Sequence, residues 1–195
     1  MSEIRENRRS EILQAACKEF SEKGFAGAKI EDIAHRCGIG KSTVYEYFPS
    51  KSDLLEETVD WIIGRVTVDV ERMMEGTGSF AEKARAYLLY ICRLMHKMGH
   101  GLLYMYGDHT YGDKQILSIL QKCTQLFLQR IVEAATQAVQ YSQQTGELRG
   151  DIAAKEIAIL VITLPSPLLA EQLANGDTES VDHMVELLLN GFAAK

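Results

Sequence analysis

Three consecutive hydrogen-bonding side chains, Lys41, Ser42 and Thr43, open a predicted helix and offer the clearest chemistry in this sequence. Lysine can donate to guanine O6 or N7, and serine or threonine can reach a base edge or place a methyl group against thymine. Tyr45 and Tyr47 follow on the outer side of the same helix, where their hydroxyls can donate to backbone phosphates. The pattern predicts a helix that reads bases with its first turn and holds the DNA backbone with its tyrosines.

Two lysines outside this helix, Lys29 and Lys51, are further candidates for phosphate contacts because their ammonium groups flank the polar run. Glu31 lies where a preceding helix could approach the groove, and its carboxylate could accept from cytosine N4. The alternative interpretation is that these polar residues simply solvate the surface of a short exposed helix.

The segment from Lys29 to Phe48 has the spacing of two short helices joined by the tight turn Gly38-Ile39-Gly40. Within the second helix, Val44 and Phe48 are four residues apart and face inward, which leaves the polar residues outside. Two short helices with a glycine-containing turn are typical of a helix-turn-helix, whose second helix enters the major groove.

The surrounding stretch, ILQAACKEFSEKGFAGAKIEDIAHRCGIGKSTVYEYFPSKSDLLEETVD, resembles the N-terminal region of the tetracycline-repressor (TetR) family over about residues 10 to 60. The matching marks are the AA…F…KGF run, IEDIA, CGIGKSTVY, YF and SKSDLL. The resemblance implies an all-helical fold, a symmetric dimer on a roughly palindromic operator in double-stranded DNA, and repression relieved by a small molecule.

Two positions depart from the family pattern, because Ala28-Lys29 and Gly40 stand where a serine or threonine often precedes each helix. Loss of a side-chain cap at Ala28-Lys29 is expected to weaken the start of the second helix by about 1 kcal/mol. We hypothesise that Lys29 replaces the missing hydroxyl as a phosphate contact, and the alternative is a solvated lysine.

The charge of the chain is unevenly distributed. The formal net charge is -6 over 195 residues, which by itself argues against nucleic acid. Residues 1 to 53 are neutral, however, with nine basic and nine acidic side chains, so the excess acid follows the first module. A neutral DNA-reading module on an acidic body can still bind phosphates where its basic groups cluster.

Cysteine spacing and hydropathy bear on the compartment. Cys17, Cys37, Cys92 and Cys123 form no CxxC pair, so neither a disulfide framework nor a zinc finger is predicted. The charged N-terminus lacks an apolar h-region, and no run of 18 apolar residues occurs. A cytoplasmic protein without a membrane span is expected.

Helical spacing along nearly the whole chain predicts an all-α protein of about nine helices. We predict an N-terminal three-helix DNA-binding domain over residues 1–50 and a helical-bundle effector and dimerisation domain over 51–195, with helix 51–75 connecting them. The expected helix boundaries are the following: Gly24, Pro49, Ser50 with Asp53, Asp151, and the Pro165-Pro167 break.

Five of the eight tyrosines fall between residues 87 and 111, beside several methionines. Amphipathic tyrosines and adaptable methionines could line a cavity for an apolar or aromatic effector, although an aromatic core would show the same pattern. The predicted lining residues are Tyr90, Met95, Tyr104, Cys123 and Phe127.

His96 and His100 are four residues apart, and Asp108 and His109 follow them, so a metal-sensing site is conceivable. The glycines at 99 and 101 weaken helical continuity there, and no cysteine completes a tight ligand set. Hydrogen-bonded or surface histidines are favoured, and no metal or other cofactor is predicted.

The last helix and the segment from 152 to 169 are too apolar for a free surface. They resemble the helix pair that joins two subunits of TetR-family proteins in a four-helix bundle across a two-fold axis, so the resemblance implies a homodimer. Burial within one chain is the alternative. The predicted interface residues are Ile152, Val161, Leu168, Val181, Val185, Leu188 and Phe192.

These observations favour a ligand-controlled DNA-binding repressor. The second possibility is a helical small-molecule-binding protein that lacks operator recognition. An enzyme ranks third, because no Ser/His/Asp set, carboxylate pair or phosphate loop stands out.

Overall fold

The computed structural model describes residues 2–98 and 114–192, and all regular structure within these ranges is helical. The described helices are α1 (Ser2–Gly27), α2 (Ile30–Arg36), α3 (Lys41–Tyr47), α4 (Lys51–Glu75), α5 (Phe80–Met98), α6 (Lys114–Gln144), α7 (Ala154–Thr163), α8 (Pro167–Ala174) and α9 (Glu179–Phe192). The predicted all-α fold is confirmed.

Glycines set the two local breaks that shape the N-terminal module. Gly24 has a φ of 66° and interrupts α1, as its position in the sequence predicts. Gly38 has a φ of 65° and ends α2, so that the Ile39 N–H can reach back to the Ala34 carbonyl at 3.1 Å. This left-handed residue makes the sharp turn between α2 and α3, because a side chain there would be strained.

The described residues divide into two compact units. The first contains residues 2–65, 98 and 114–125, and the second contains residues 66–97 and 126–192. The division into a DNA-binding domain ending at residue 50 and an effector domain beginning at 51 is a functional boundary, and it stays a prediction.

The first unit is built around one apolar core drawn from α1 to α4, with one residue from α6. Phe20, Ile33 and Phe48 are at most 1% exposed, and Leu54 and Leu55 of α4 join them at 0% and 1%. Burial of these large side chains locks α2 and α3 against α1 and α4, with each contributing about 1.5–3 kcal/mol.

The second unit packs α5, the later part of α6, and α7 to α9 around their own core. Tyr87 is 2% exposed, and its hydroxyl donates to the Ile162 carbonyl at 2.9 Å, so the buried polar tip is satisfied. Glu147 lies after α6, and its carboxylate accepts from the Phe80 N–H at 2.7 Å. That bond serves a free backbone donor at the start of α5.

Pro165 and Pro167 separate α7 from α8, as predicted. Ser166 caps α8, since its hydroxyl oxygen accepts from the Leu169 N–H at 3.2 Å and Pro167 occupies the first turn. The prediction that Asp151 caps α7 is wrong. The N-cap is Ala153, which has no side-chain cap, and Asp151 instead accepts from Arg149 Nε at 2.6 Å.

No single helix in the described ranges is both long and apolar enough to cross a membrane. By length and composition alone, the pair α7 and α8 passes when taken together, with a bend of 58° between them.

Candidate nucleic-acid interface

α3 presents a polar face from a firmly anchored backbone. Val44 and the following Phe48 are both 0% exposed, while Lys41, Ser42 and Tyr45 are exposed. The buried pair fixes the rotation of the helix, so the polar side chains point outward as predicted. Thr43 is half-buried, which leaves Lys41 and Ser42 as the more accessible of the three predicted base contacts.

The ammonium group of Lys41 is held by a carboxylate from the preceding helix. Lys41 Nζ lies 2.5 Å from Glu31 Oε1, and the same ammonium lies 5.8 Å from the centre of the Tyr45 ring. The hydrogen bond from Lys41 lowers the pKa of Glu31, and the carboxylate in turn raises the pKa of Lys41. The donor predicted for guanine and the acceptor considered for cytosine therefore form one ion pair.

The predicted phosphate contacts Lys29 and Tyr45 are both accessible on the first unit. Lys29 is exposed and stands at the N-cap of α2 without a side-chain cap hydrogen bond. Tyr45 is 40% exposed. The phosphate role of these residues stays a prediction.

Tyr47 and Lys51 are more enclosed than the sequence suggested. The half-buried ring of Tyr47 packs against the core, 6.4 Å from the Phe48 ring centre. Lys51 Nζ lies 4.5 Å from the centre of the Phe25 ring, and partial burial lowers the pKa of this lysine. A phosphate that Lys51 holds would therefore lie close to this aromatic platform.

Sequence reasoning missed the arginines at the start of α1. The Arg5 guanidinium lies 5.6 Å from the centre of the Tyr47 ring, and the Arg9 guanidinium lies 5.2 Å from that of Phe48. Arg9 also forms an ion pair with Glu57. The clustering of Arg5, Arg8 and Arg9 within five positions was the available signal, because such a basic run is typical of nucleic-acid contacts.

Ser50 caps the start of α4, at the boundary that Ser50 and Asp53 predict. Its hydroxyl oxygen accepts from the Asp53 N–H at 3.1 Å and donates to Asp53 Oδ2 at 2.7 Å. In a full capping box the second side chain would accept from a backbone N–H instead.

The described residues predicted for the ligand pocket belong to different units, and the pocket itself stays a prediction. Tyr90 and Met95 of α5 and Phe127 of α6 are half-buried in the second unit, and Tyr90 donates to Asp69 Oδ2 at 2.7 Å. Cys123 belongs instead to the apolar core of the first unit. Tyr104 lies outside the described residues.

Cys123 is a core residue tied to α4. It is 2% exposed, and its thiol donates to Asp60 Oδ1 at 2.9 Å. Burial and this neighbouring carboxylate raise the pKa of Cys123 to about 12. Both observations argue against a role as a reactive thiol or as a free wall of a ligand pocket.

Cys123 is expected to resist alkylation by iodoacetamide at pH 8 in the folded protein, because a thiol of this pKa is about one part in 10⁴ thiolate. Mass spectrometry should show it unmodified under conditions that label the half-buried Cys17. In urea, where burial is lost, both should react at similar rates. Rapid native labelling of Cys123 would contradict the raised pKa.

An apolar groove of about 300 Å³ lies between α7 and α9. Its lining residues are Leu160, Leu164, Met184, Leu187, Leu188, Gly191 and Phe192. Leu160 is 44% exposed and Leu187 is 73% exposed, and Leu168 of α8 is 68% exposed. Within a single chain these large apolar side chains are exposed to water, which is typical of a surface that binds a partner.

The groove contains some of the predicted interface residues and leaves others out. Leu188 and Phe192 line it, and Ile152 is half-buried outside it. Val161, Val181 and Val185 are at most 6% exposed within a single chain, so they pack in its own core. These three residues have little surface left for a partner, and the interface itself stays a prediction.

Metal binding by the histidines receives no support from the described residues. His96 is exposed on α5, and no group of three His, Cys, Asp or Glu side chains within the described ranges could hold a metal ion. His100, Asp108 and His109 lie outside those ranges.

Two short helices joined at Gly38, anchored in one core and followed by an exposed polar helix face, form a helix-turn-helix module. The family model for bacterial regulatory proteins of the tetR family matches residues 12–58, which contain this module. The N-terminal module of this chain is therefore similar to that of the TetR family.

Comparison with known proteins supports the same assignment. The HTH-type transcriptional repressor KstR2 of Mycolicibacterium smegmatis is 36% identical over 63 residues, covering 30% of this chain. The aligned part spans only 31% of that repressor, so the likeness covers less than a third of its length.

Two solved structures share the fold over nearly the whole chain. FadR from Bacillus subtilis, solved in complex with stearoyl-CoA, has a TM-score of 0.70 at 18% identity, covering 93% of this chain and 98% of FadR. The SmeT–triclosan complex has a TM-score of 0.71 at 19% identity, covering 97% of this chain and 93% of SmeT.

Proposed function

We propose that this protein is a homodimeric transcriptional repressor that binds a roughly palindromic operator and is released from it by a small molecule. The observation that carries the proposal is the polar face of α3, which Val44 and Phe48 hold outward from a rigid core. Such a helix offers donors and acceptors to base edges at little conformational cost.

The groove between α7 and α9 supports the homodimer. A monomer that kept Leu187 and Leu160 in water would forgo the favourable burial of both side chains. A second copy packed about a two-fold axis would cover the same surface on each chain. The two α3 helices would then meet successive major grooves of a palindromic site.

An apolar or aromatic effector agrees with the structural neighbours and with the second unit. FadR is solved with stearoyl-CoA and SmeT with triclosan, both of which contain large apolar parts. In this chain Tyr90, Met95 and Phe127 are half-buried in the second unit and supply aromatic and thioether surface. Release from DNA requires that the effector bind the DNA-free conformation more tightly than the DNA-bound one.

Electrophoretic mobility shift with the intergenic DNA next to the protein's own gene tests the proposal. A duplex from this region should shift at nanomolar to submicromolar protein in moderate salt, and a scrambled duplex should not. Equal binding to both duplexes would contradict sequence-specific repression. No binding at all would favour the helical small-molecule binder without operator recognition.

Removing two predicted phosphate contacts together, Tyr45→Phe with Lys51→Ala, should weaken operator binding by about tenfold or more. The variant loses a hydroxyl donor and an ammonium group at the DNA backbone, and each such contact contributes on the order of 1 kcal/mol. The matched control is Lys155→Ala, which removes an exposed lysine from the start of α7.

Titration at several salt concentrations separates lost phosphate contacts from lost folding. The logarithm of the operator-binding constant falls linearly with the logarithm of the salt concentration. In Lys29→Ala this slope should flatten by nearly one unit for each phosphate contact that is removed. Circular dichroism should show unchanged helix content in every variant. An unchanged slope would leave Lys29 as a solvated lysine.

A further inference from the structure

The Glu31–Lys41 ion pair of the first unit places a carboxylate on the surface that is proposed to meet DNA. Both side chains are accessible, with Glu31 59% exposed and Lys41 49% exposed. An exposed ion pair contributes about 0–1 kcal/mol to stability, so folding alone gives little reason for it. Next to DNA a carboxylate is repelled by phosphates, which makes its position costly unless it has a partner in the groove.

The pair presents a donor and an acceptor side by side. Lys41 Nζ lies 2.5 Å from Glu31 Oε1 and donates one ammonium proton to it. The other ammonium protons remain donors, and the second carboxylate oxygen remains an acceptor. A G·C pair shows the complementary pattern in the major groove, where guanine O6 and N7 accept and the neighbouring cytosine N4 donates. An A·T pair has a different order of donors and acceptors, and it adds the thymine methyl group.

We propose that Glu31 and Lys41 act together as one reader of a single G·C base pair in each half-site, with Lys41 donating to guanine and Glu31 accepting from cytosine. The inference rests on the proposed operator binding. Glu31 is in addition a positioning residue, because it holds a flexible lysine that would otherwise move to the nearest phosphate.

The net charge of the pair explains how it favours specificity over affinity. The opposite charges cancel, so the pair gains little from the phosphate backbone and adds little to non-specific binding. A correct base pair satisfies both groups. A wrong base pair leaves the remaining ammonium protons and the second carboxylate oxygen desolvated and without hydrogen-bond partners, which is the more costly outcome.

A duplex library with randomised central positions, selected with the full-length wild-type protein, identifies the operator sequence. We expect a G·C pair at one symmetric position in each half-site, preferred over A·T by about tenfold per half-site. Replacing that guanine by inosine should leave binding unchanged. Inosine keeps the major-groove edge and lacks only the minor-groove amino group.

Glu31→Ala should reduce the preference at this position to about twofold or less. The freed Lys41 is expected to bind a phosphate, so the log–log salt slope should steepen by about one unit per protomer. Affinity for a duplex without an operator should rise accordingly. Lys41→Ala should lose the same preference, and the double variant should lose no more than either single variant.

Asp32→Ala is the matched control. Asp32 is the neighbouring carboxylate in the first turn of α2, and it also pairs with a lysine, Lys23 of α1, at 2.8 Å. Its removal costs the helix a similar favourable charge at the N-terminus, yet it should leave the base preference and the salt slope unchanged.

The possible results separate the two proposals. If the wild-type protein selects an operator and Glu31→Ala keeps the same preference at every position, the paired reader is wrong and the repressor proposal stands. If the wild-type protein selects no sequence, operator binding itself fails, and the paired reader fails with it. Selection of A·T at every position that responds to Lys41→Ala would also overturn the pairing.

Discussion

Replacing Glu19 by alanine is expected to destabilise the first unit by about 3 kcal/mol. Glu19 is 0% exposed, and its carboxylate lies 2.6 Å from Lys23 Nζ and 3.1 Å from Arg36 Nη2. The Arg36 pair joins α1 to α2, so the substitution removes a buried charge that two cations neutralise. The free energy of unfolding from urea denaturation, followed by circular dichroism, measures the effect.

The two carboxylate oxygens of Glu19 make different contacts, so Arg36 and Lys23 should contribute unequally to the stability that Glu19 provides. Oε2 accepts a directed hydrogen bond from Arg36 Nε at 3.2 Å. Oε1 is close to Lys23, but its alignment is that of an ion contact rather than of a hydrogen bond. Arg36 should therefore carry more of the interaction than Lys23, and Arg36→Ala should destabilise more than Lys23→Ala.

Glu22→Ala provides the matched control for Glu19→Ala. Glu22 is on the same helix and contacts the same Arg36 nitrogen at 2.5 Å, but its side chain is 44% exposed. Because water screens and can replace that contact, its loss should cost less than about 1 kcal/mol. Equal effects from the two variants would show that burial of Glu19 adds nothing to the link between α1 and α2.

Leu187→Glu is expected to convert the proposed dimer into a monomer and to weaken operator binding by about a hundredfold or more. Leu187 is 73% exposed and lines the apolar groove, so a carboxylate there would face its own copy across the two-fold axis. Losing the second DNA-binding module removes the gain from bivalent attachment, which reaches about 10²–10⁴. Sedimentation velocity should report a species of 21.8 kDa.

Leu126→Glu is the corresponding control, because Leu126 of α6 is 52% exposed and is absent from the groove lining. It introduces the same charge into the same kind of surface and should leave the oligomeric state and the DNA affinity unchanged. A Leu187→Glu variant that stays dimeric would place the interface elsewhere. Wild-type protein that sediments as a monomer would refute the homodimer.

Local signals in the sequence were sufficient to place most helix boundaries. Gly24 and Gly38 adopt left-handed backbone conformations where helices break, and Pro165 and Pro167 interrupt the helical path after α7. These residues act through their own backbone geometry, so no knowledge of distant contacts is needed. The missing side-chain cap of α2 could be predicted for the same reason, since the side chain of Lys29 has no oxygen to accept from a backbone N–H.

Asp151 shows where such local rules fail. Aspartate is a favoured N-cap residue, yet α7 begins three residues later. The Asp151 carboxylate accepts from the Arg149 guanidinium instead. The competition between a backbone N–H and a nearby guanidinium depends on chain geometry in the turn, which residue type does not encode.

Helical periodicity identified apolar helices but could not separate their inner and outer faces. Val161 and Leu160 are adjacent on α7, and only the former is buried within the chain. α7 carries apolar residues on both its buried and its exposed faces, so the period of 3.6 residues loses its contrast. The sequence likewise did not show that Cys123 packs in the core of the first unit while Tyr90 belongs to the second, and the ligand pocket itself stays a prediction.

The contribution of α4 to the first core sets a constraint on recombination between regulators. Leu54, Leu55 and Val59 of this helix are at most 6% exposed within the same core as Val44 and Phe48. In a chimera joined after residue 50, α1 to α3 would pack against the α4 of another protein. A poor fit between them would expose apolar side chains of the first core. Exchange of DNA specificity between relatives is therefore best made with the first half of α4 included, or by changing the outer face of α3 alone.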